Sequence, residues 1–265
     1  MTTGFPSAAL EGAPVGMVVD PHEQLALVVS QIAIAALVIG IVIWRSSRAT
    51  VGVNLAVILA AGLAVTLESL ADAMLLIWHP AIGQWTVLSA YGHHVPVWVS
   101  PCFMWAFGGQ SVWFLAALRR KASRLQLWKL YAIFALTDFI FETPSILTHG
   151  VIYYGDQPLA FPLLPLPLYL PFGNALTTVM AAVMAYIAEK HLDAARLPWI
   201  VVPLALTAMT ATLAAYSWPV SITLNSEVST WVRWLAGLFS IGLSLTLFLV
   251  IVRVFGRDSR TATPA

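Results

Sequence analysis

Charged residues are scarce in this sequence. Only 9% of its 265 residues are Asp, Glu, Lys or Arg, whereas 60% are hydrophobic and the mean hydropathy is +0.85. A soluble domain carries about 25% charged residues. The composition therefore excludes a soluble globular protein and indicates a multi-pass protein, which we expect in the cell membrane.

Cysteine is nearly absent as well. The single Cys102 lies in an apolar stretch, which excludes a disulfide framework and a thiolate metal site. The net charge of +1 says nothing about nucleic acid, but no basic patch is interleaved with aromatic residues, so no nucleic-acid partner is predicted. Residues 1–24 lack a basic start and a cleavable apolar run, so no signal peptide is predicted.

Long apolar runs, by contrast, are abundant. A membrane-crossing helix needs about 20 mostly apolar residues, and runs of this kind lie at roughly 25–44, 51–78, 97–118, 126–150, 167–188, 198–217 and 231–253. The predicted fold is an all-α integral membrane protein with seven transmembrane helices over residues 25–253. Residues 1–24 would form an extracytoplasmic segment, and residues 254–265 a cytoplasmic tail.

The basic residues set the predicted orientation. With these spans, twelve of the thirteen Lys and Arg residues fall on one side, and only Arg233 falls on the other. Cytoplasmic loops carry the excess of Lys and Arg, so we expect the N-terminus outside and the C-terminus in the cytoplasm. On the outer side, the proline-rich segment 153–174 predicts an irregular cap rather than a helix before about Leu168.

Four carboxylates interrupt two of the apolar runs. Glu68 and Asp72 lie in the second run, and Asp138 and Glu142 lie in the fourth. Each pair is spaced i, i+4, which places both side chains on one face of a helix. An ionisable group at membrane depth costs roughly 3 kcal/mol on insertion scales, so we expect these pairs to have a function.

The two acidic runs also suggest an internal repeat. Four matches share an offset of 70 residues: Glu68 with Asp138, Asp72 with Glu142, His79 with His149, and Pro101 with Pro171. Spans 2–3 and 4–5 would then be parallel copies of one hairpin, as in several transporter folds. The alternative is chance alignment of short motifs.

The carboxylates lack basic partners within the membrane. No Lys or Arg occurs in the middle of any predicted span, so we expect protonated acids hydrogen-bonded to ionised ones. Glu68 lies ten residues before Trp78, which is roughly 15 Å below the outer helix end. All four acids would line one cavity in the outer half of the bilayer, where a neutral acid can donate a proton.

Polar amides and aromatic rings flank the acids. The residues predicted to contact a substrate are Gln110, Asn174, Trp78, Trp105, Phe139 and Tyr153. Aromatic faces stabilise cations by roughly 0.5–2 kcal/mol each, and a buried amide needs hydrogen-bond partners. The alternatives are ordinary packing for the aromatic residues and structural interhelical hydrogen bonds for the amides.

Histidines end the two acidic runs, at His79 and His149, and His93 and His94 lie in the first outer loop. Imidazole and carboxylate ligands could hold a metal, but the histidines are expected above the carboxylates, at the interface. No span contains an HxxH or HxxxH pair. We therefore predict neither a metal nor a cofactor, and ordinary hydrogen bonds for these histidines.

The segments TLESLAD and TDFIFETPS, with the size and span number, resemble the membrane-embedded terpene cyclases. These include the fungal meroterpenoid cyclases and the bacterial cyclases of indole-sesquiterpenoid pathways. The resemblance implies that a membrane carboxylic acid protonates an epoxide or alkene of a prenyl chain, with Glu68 matching the acid on span 2. The second acid of the fungal members lies on the last span, where this chain has only Arg233 and nearby Glu227. Asp138 or Glu142 is then the candidate second acid.

The same spans are similar to the EXPERA group of sterol isomerases, a resemblance that also implies protonation of an alkene. The DDxxD motif of prenyl-diphosphate chemistry is absent. We expect a terpenoid cyclase acting on a lipophilic isoprenoid substrate from membrane lipid, with Glu68 and Asp138 as deeper acids tuned by Asp72 and Glu142. The alternatives are a membrane isomerase, hydratase or other lipid-modifying enzyme, a carrier that binds H⁺ or a cation, and a non-catalytic lipid-binding protein.

Overall fold

The computed structural model describes residues 12–161, 166–193 and 196–257. Parts of the predicted N-terminal segment (1–11), outer cap (162–165) and cytoplasmic tail (258–265) lie outside the described residues. The helices are α1 (Pro21–Arg45), α2 (Val51–Leu63), a 3-10 turn (Ala64–Leu67), α3 (Glu68–Leu75), α4 (Val99–Phe103), a π-helical turn (Met104–Gly109), α5 (Gln110–Arg119), α6 (Arg124–Leu147), α7 (Tyr169–His191), α8 (Leu197–Leu224) and α9 (Thr230–Phe255).

Six of the described helical segments are long and apolar enough to cross a membrane. They are Pro21–Arg45, Val51–Leu75, Arg124–Leu147, Tyr169–His191, Leu197–Leu224 and Thr230–Phe255. The fold is therefore that of an all-α, multi-pass membrane protein. The region predicted as the third span, 97–118, is not one of the six; it comprises α4, the π-helical turn and α5.

That π-helical turn packs closely on α2. A Cβ added at Gly108 would lie 2.8 Å from the Ile58 Cα atom, so glycine is needed for the two backbones to approach. Ser100 donates a hydrogen bond to the Gly62 carbonyl at 3.0 Å, just before α2 gives way to the 3-10 turn. Irregular helix of this type is frequent at functional sites, and the α2–α3 segment carries the first acidic pair.

Short strands that the apolar pattern does not indicate lie in the loop between α3 and α4 and in the loop after α6. They are β1 (Ile77–Trp78), β2 (Thr86–Ala90), β3 (His93–Pro96) and β4 (Ile152–Tyr153). β2 and β3 form an antiparallel hairpin, and β1 pairs antiparallel with β4, with Ile77 opposite Tyr153 and Trp78 opposite Ile152. The second pairing joins the loop that follows α3 to the loop that follows α6.

Helix α7 is central, with two-thirds of its most apolar stretch buried against other helices. Buried aromatic residues from α5, α6 and α9 pack together beside it: Phe114, Tyr131, Phe134 and Phe248. The rings of Tyr131 and Phe248 are stacked at 4.1 Å between centroids. This cluster fills the end of the bundle that carries most of the basic residues.

The predicted repeat is not reproduced in local detail. α2 and α3 are separated by a 3-10 turn, whereas α6 is continuous even through Pro144. His79 is buried, and its proposed counterpart His149 is exposed. The duplication therefore stays a prediction.

Candidate functional site

A sharp turn after α3 brings His79 back toward the first acidic pair. Leu76 adopts a left-handed conformation with φ +53°, although it is not glycine. Such strain persists only where the surroundings impose it. Here the Tyr154 amide donates to the Leu76 carbonyl at 3.0 Å, and the Gln157 side-chain amide donates to the Leu75 carbonyl at 2.8 Å.

The turn places His79 beside Asp72. Nδ1 of His79 lies 3.1 Å from Oδ2 of Asp72, and both side chains are almost fully buried. The expectation that His79 lies above the carboxylates is therefore wrong, because the chain reverses at Leu76 instead of continuing outward. Burial lowers the pKa of His79, while Glu68 and Glu142 act in the opposite direction.

Glu68 completes a compact group with these two residues. Ligand-type atoms of Glu68, Asp72 and His79 all lie within 4.8 Å of one another. The other Asp72 oxygen, Oδ1, is buried without a hydrogen-bond partner among the described residues, as is the Ser69 hydroxyl. The first acidic pair is thus incompletely satisfied by the protein.

The second pair is held by different partners. The Asn174 side-chain amide donates to both oxygens of Asp138, at 3.2 and 3.1 Å, and its own oxygen accepts a hydrogen bond from the Tyr216 hydroxyl at 3.1 Å. Gly173 permits this arrangement, since a Cβ there would lie 2.0 Å from the Tyr216 ring. Asp138 is consequently fixed by α7 and α8.

Glu142 is bound by a residue from the outer loop. The Tyr153 hydroxyl donates to Oε2 of Glu142 at 2.5 Å. Burial, followed by the nearby Glu142 carboxyl, raises the pKa of Tyr153 well above its ordinary value. Tyr153 remains a hydrogen-bond donor at neutral pH, and β4 holds it in place opposite Ile77.

A small cavity connects the two acidic pairs. Its volume is about 100 Å³, and its polar lining includes Glu68, Glu142, Tyr153 and Asn174. The apolar walls include Phe103, Phe107, Leu170, Met209 and Leu213. A second pocket of about 50 Å³ shares Glu68, Phe103, Glu142 and Tyr153 with the first and adds His79 and Trp98. Among the described residues, no Lys or Arg lines either pocket.

The structure sorts the four acids in a way that the sequence did not suggest. Glu68 and Glu142 line both pockets, whereas Asp72 and Asp138 are buried behind them and line neither. Each helix thus presents one glutamate to the cavity and keeps one aspartate in a hydrogen-bonded position. The expected grouping of Glu68 with Asp138 does not match this arrangement.

Of the six residues predicted to contact a substrate, Asn174 and Tyr153 line the cavity. The other four line neither pocket of the site. Trp78 packs edge-on against His93, and Trp105 donates to Gln31 at 2.6 Å.

Phe139 packs at the edge of an outer apolar cluster. Gln110 lines a separate groove of about 690 Å³ beside Arg45 and Arg119. The sequence did not indicate that these four residues lie outside the cavity, because a helix that is apolar on all sides gives no sign of which face points inward.

Sequence reasoning missed several cavity residues. Met209 and Leu213 come from α8, which contains no charged residue and so gives no sequence signal for a site. Phe103 and Phe107 come from the α4–π region, where the irregular helix is not apparent in the sequence. The one signal in the sequence for a further residue of the site was His79, a titratable residue that follows closely after an acidic pair.

The other outer histidines are not part of the cavity. His93 is fully buried in β3, and burial lowers its pKa to about 4. His94 lies 2.8 Å from the Ser89 hydroxyl through Nδ1, as expected for ordinary hydrogen bonding.

Comparisons with family models, with curated proteins and with solved structures gave no significant match.

Proposed function

We propose that this chain is an integral-membrane enzyme in which a buried carboxylic acid transfers a proton to a lipophilic substrate. The most specific form of the proposal is a terpenoid cyclase that starts ring closure by protonating a prenyl chain. One observation carries it: Glu68 and Glu142, from two different helices, line one small cavity whose other walls are largely apolar.

The proposal includes a topology of seven crossings with the N-terminus outside. The helices from Val99 to Arg119 would form the third crossing despite their π-helical turn. The links after α1, α5 and α7 are short and carry basic residues, whereas the links after α3 and α6 are longer. This asymmetry supports a cytoplasmic location for the short links. Arg233, the one basic residue on the other side, pairs with Asp156 at 2.8 Å.

Glu142 is the proposed proton donor. It faces the cavity, and the Tyr153 hydroxyl bond to Oε2 fixes its carboxyl group and stabilises the carboxylate left after transfer. Asp138 lies one turn away, held by Asn174, so that two adjacent acids in apolar surroundings can share one proton.

In the reaction, the Glu142 O–H bond breaks and the proton goes to an alkene carbon or an epoxide oxygen. The positive charge left on the substrate is then attacked by a second double bond of the same chain, which closes the ring. Phe103 and Phe107 line the cavity and can stabilise the cation by roughly 0.5–2 kcal/mol each. Loss of a proton or capture of water ends the sequence.

The cavity volume limits what is bound there. An apolar cavity of about 150 Å³ holds one benzene molecule, and sites for drug-sized ligands have roughly 300–1,000 Å³. At about 100 Å³, this cavity has room for the reactive end of a prenyl chain but not for all of it. We therefore propose that Glu142 acts on a terminal unit.

The carrier alternative receives less support. A carrier must expose its site to both sides of the membrane, whereas Phe114, Phe134 and Phe248 fill the bundle toward the basic end. An isomerase that moves a double bond would use the same acid, and product analysis separates it from a cyclase.

The test is expression of the full chain in a host supplied with prenylated substrates, with mass-spectrometric analysis of the products. We expect product from the wild type and none from Glu142→Gln. Glu227→Gln, which changes an exposed glutamate of an outer loop, is the matched control and should leave product formation intact. Equal product from Glu142→Gln, Glu68→Gln and the wild type would refute the proposal, and a product with only a shifted double bond would favour the isomerase.

A further inference from the structure

Three metal-ligand side chains converge at the outer end of α3. His79 Nδ1 and Asp72 Oδ2 are 3.1 Å apart, and a Glu68 oxygen completes a group whose atoms lie within 4.8 Å of one another. All three side chains belong to one continuous stretch of chain that the Leu76 turn folds back on itself. The group lies beside the cavity, and two of its members line the 50 Å³ pocket.

The protein alone leaves this group unsatisfied. Oδ1 of Asp72 is buried and has no hydrogen-bond partner among the described residues. Two carboxyl groups are brought together here, and no Lys or Arg among the described residues lines the adjoining pockets. By contrast, both oxygens of the buried Asp138 accept hydrogen bonds from Asn174. The two acidic pairs are therefore not equivalent, and only the first leaves a buried carboxylate oxygen of a described residue without a hydrogen-bond partner.

We propose that Glu68, Asp72 and His79 bind a divalent transition-metal ion of the zinc type. One imidazole nitrogen and two carboxylate oxygens suit zinc and its neighbours in the first transition series better than the all-oxygen preference of Mg²⁺ and Ca²⁺. Three protein ligands are the number used by catalytic zinc sites, which keep a further position open for water or substrate. The 50 Å³ pocket lies where that open position is needed, since Glu68 and His79 both line it.

The geometry is close to that of a metal centre. Bonds of about 2.0–2.2 Å in a tetrahedral site space the ligand atoms about 3.4 Å apart. The His79–Asp72 pair is near this spacing at 3.1 Å, and the ligand atoms of all three residues already lie within 4.8 Å of one another.

His79 is held in place by its surroundings, as metal-binding histidines commonly are. The edge of the Trp98 ring packs against it at 5.8 Å between centroids. Trp98 donates to the Gln84 side-chain oxygen at 2.8 Å, and the Gln84 amide donates to the Pro80 carbonyl at 3.0 Å. Pro80, the residue after His79, is thus linked through Gln84 to the Trp98 ring, which packs against His79.

The metal site and the proposed reaction are compatible and can be tested separately. A metal at this position would make Glu68 a ligand and leave Glu142, which also lines both pockets, as the proton donor. Metal binding is measured without substrate, so it does not depend on the proposed reaction.

The test uses the purified full chain in detergent, with any affinity tag removed, stripped with a chelator and then dialysed against ZnCl2. Elemental mass spectrometry should find about one zinc ion per chain in the wild type. Asp72→Asn, His79→Gln and Glu68→Gln should each weaken zinc binding by more than about 10-fold, the lower limit seen for loss of mere outer-shell partners. CoCl2 in place of zinc should give the visible absorption of a tetrahedral site.

Glu142→Gln and Asp138→Asn are the matched controls, since each neutralises a buried or half-buried carboxyl on the adjacent helix. Both should bind zinc like the wild type, and size-exclusion chromatography should show that all variants remain folded. Wild-type protein without bound zinc at saturating ZnCl2 would overturn the proposal. So would equal zinc content in the wild type and the three ligand variants, because the metal would then lie elsewhere. Loss of product in Glu142→Gln with zinc retained would support both proposals, and zinc binding by a wild type that forms no product would support the metal site and reject only the proposed reaction.

Discussion

Gly173 offers a sharp test of how α7 and α8 position Asn174. A Cβ added at Gly173 would lie 2.0, 2.1 and 2.5 Å from three carbon atoms of the Tyr216 ring, whereas carbon atoms in contact are about 3.5–4.0 Å apart. Tyr216 is fully buried, so its ring cannot move into open space. Gly173→Ala must therefore separate the two helices or turn the ring and break its hydrogen bond to Asn174.

The expected cost follows from these two effects. Overpacking a well-filled core costs about 1–3 kcal/mol, and an overlap of this size belongs at the upper end. Loss of the Tyr216–Asn174 hydrogen bond adds about 1 kcal/mol, while alanine regains about 1 kcal/mol over glycine in a helix. We therefore expect Gly173→Ala to lower the free energy of unfolding by about 2–3 kcal/mol, which for a chain of this length lowers Tm by about 4–12 °C.

The assay is thermal unfolding of the purified protein in detergent. Gly242→Ala is the matched control, because a Cβ at Gly242 in α9 meets nothing within 4 Å, and this variant should match or slightly exceed the wild-type Tm. Tyr216→Ala should destabilise far less in the Gly173→Ala background than in the wild type, since the two changes act on one contact. An unchanged Tm in Gly173→Ala, or strict additivity of the two changes, would show that the helices are not packed as described.

Three further predictions concern other described contacts. Because His93 is neutral when folded, with a pKa of about 4, and has an ordinary pKa near 6.5 when unfolded, the unfolded chain binds more protons between these values. Stability is thus complete above pH 6.5 and falls by up to about 3 kcal/mol toward pH 4; thermal unfolding across this range should show the fall, and His93→Asn should reduce it. Tyr153→Phe should lower stability by about 1.5–3 kcal/mol through loss of the bond to Glu142; a wild-type Tm would show that this bond contributes nothing. Arg119→Gln should cost about 2–4 kcal/mol, because it leaves a partly buried Glu189 unpaired, and adding Glu189→Gln should recover part of the loss in the same unfolding assay.

Six of the seven predicted runs correspond to helical segments long and apolar enough to cross a membrane, but the ends of these helices differ from the prediction. The second run was expected to continue to Trp78, whereas the helix ends at Leu75. Leu76, Ile77 and Trp78 are as apolar as the helix before them, and an apolar run alone does not distinguish another helical turn from a two-residue strand. The sixth run was expected to end at residue 217, yet α8 continues through Pro219 to Leu224. Prolines are tolerated within membrane helices more readily than within soluble ones.

The sequence pointed to the four acids, whose functional role stays a prediction, but not to the residues that bind them. The cost of burying a carboxyl group identified all four acids, and the structure buries Asp72 and Asp138 most completely. The position of His79 could not be predicted, because it depends on a left-handed turn at Leu76, a residue type that gives no sign of it. That Trp105 and Phe139 do not line the cavity was equally impossible to predict, because helices that contact lipid are apolar on both sides.

The pairing of β1 with β4 explains why the two acidic pairs acquire different partners around one cavity. Ile77 lies opposite Tyr153 and Trp78 opposite Ile152, so the loop that carries His79 is aligned with the loop that carries Tyr153. A slip of one residue would turn Tyr153 to the other face of the ribbon and remove the donor from Glu142. The helices alone therefore place carboxyl groups near the cavity. The β1–β4 ribbon aligns the two loops so that His79 lies beside the first pair and Tyr153 binds the second. That difference in partners, which no helical periodicity encodes, is the basis for proposing a metal site at the first pair and a proton donor at the second.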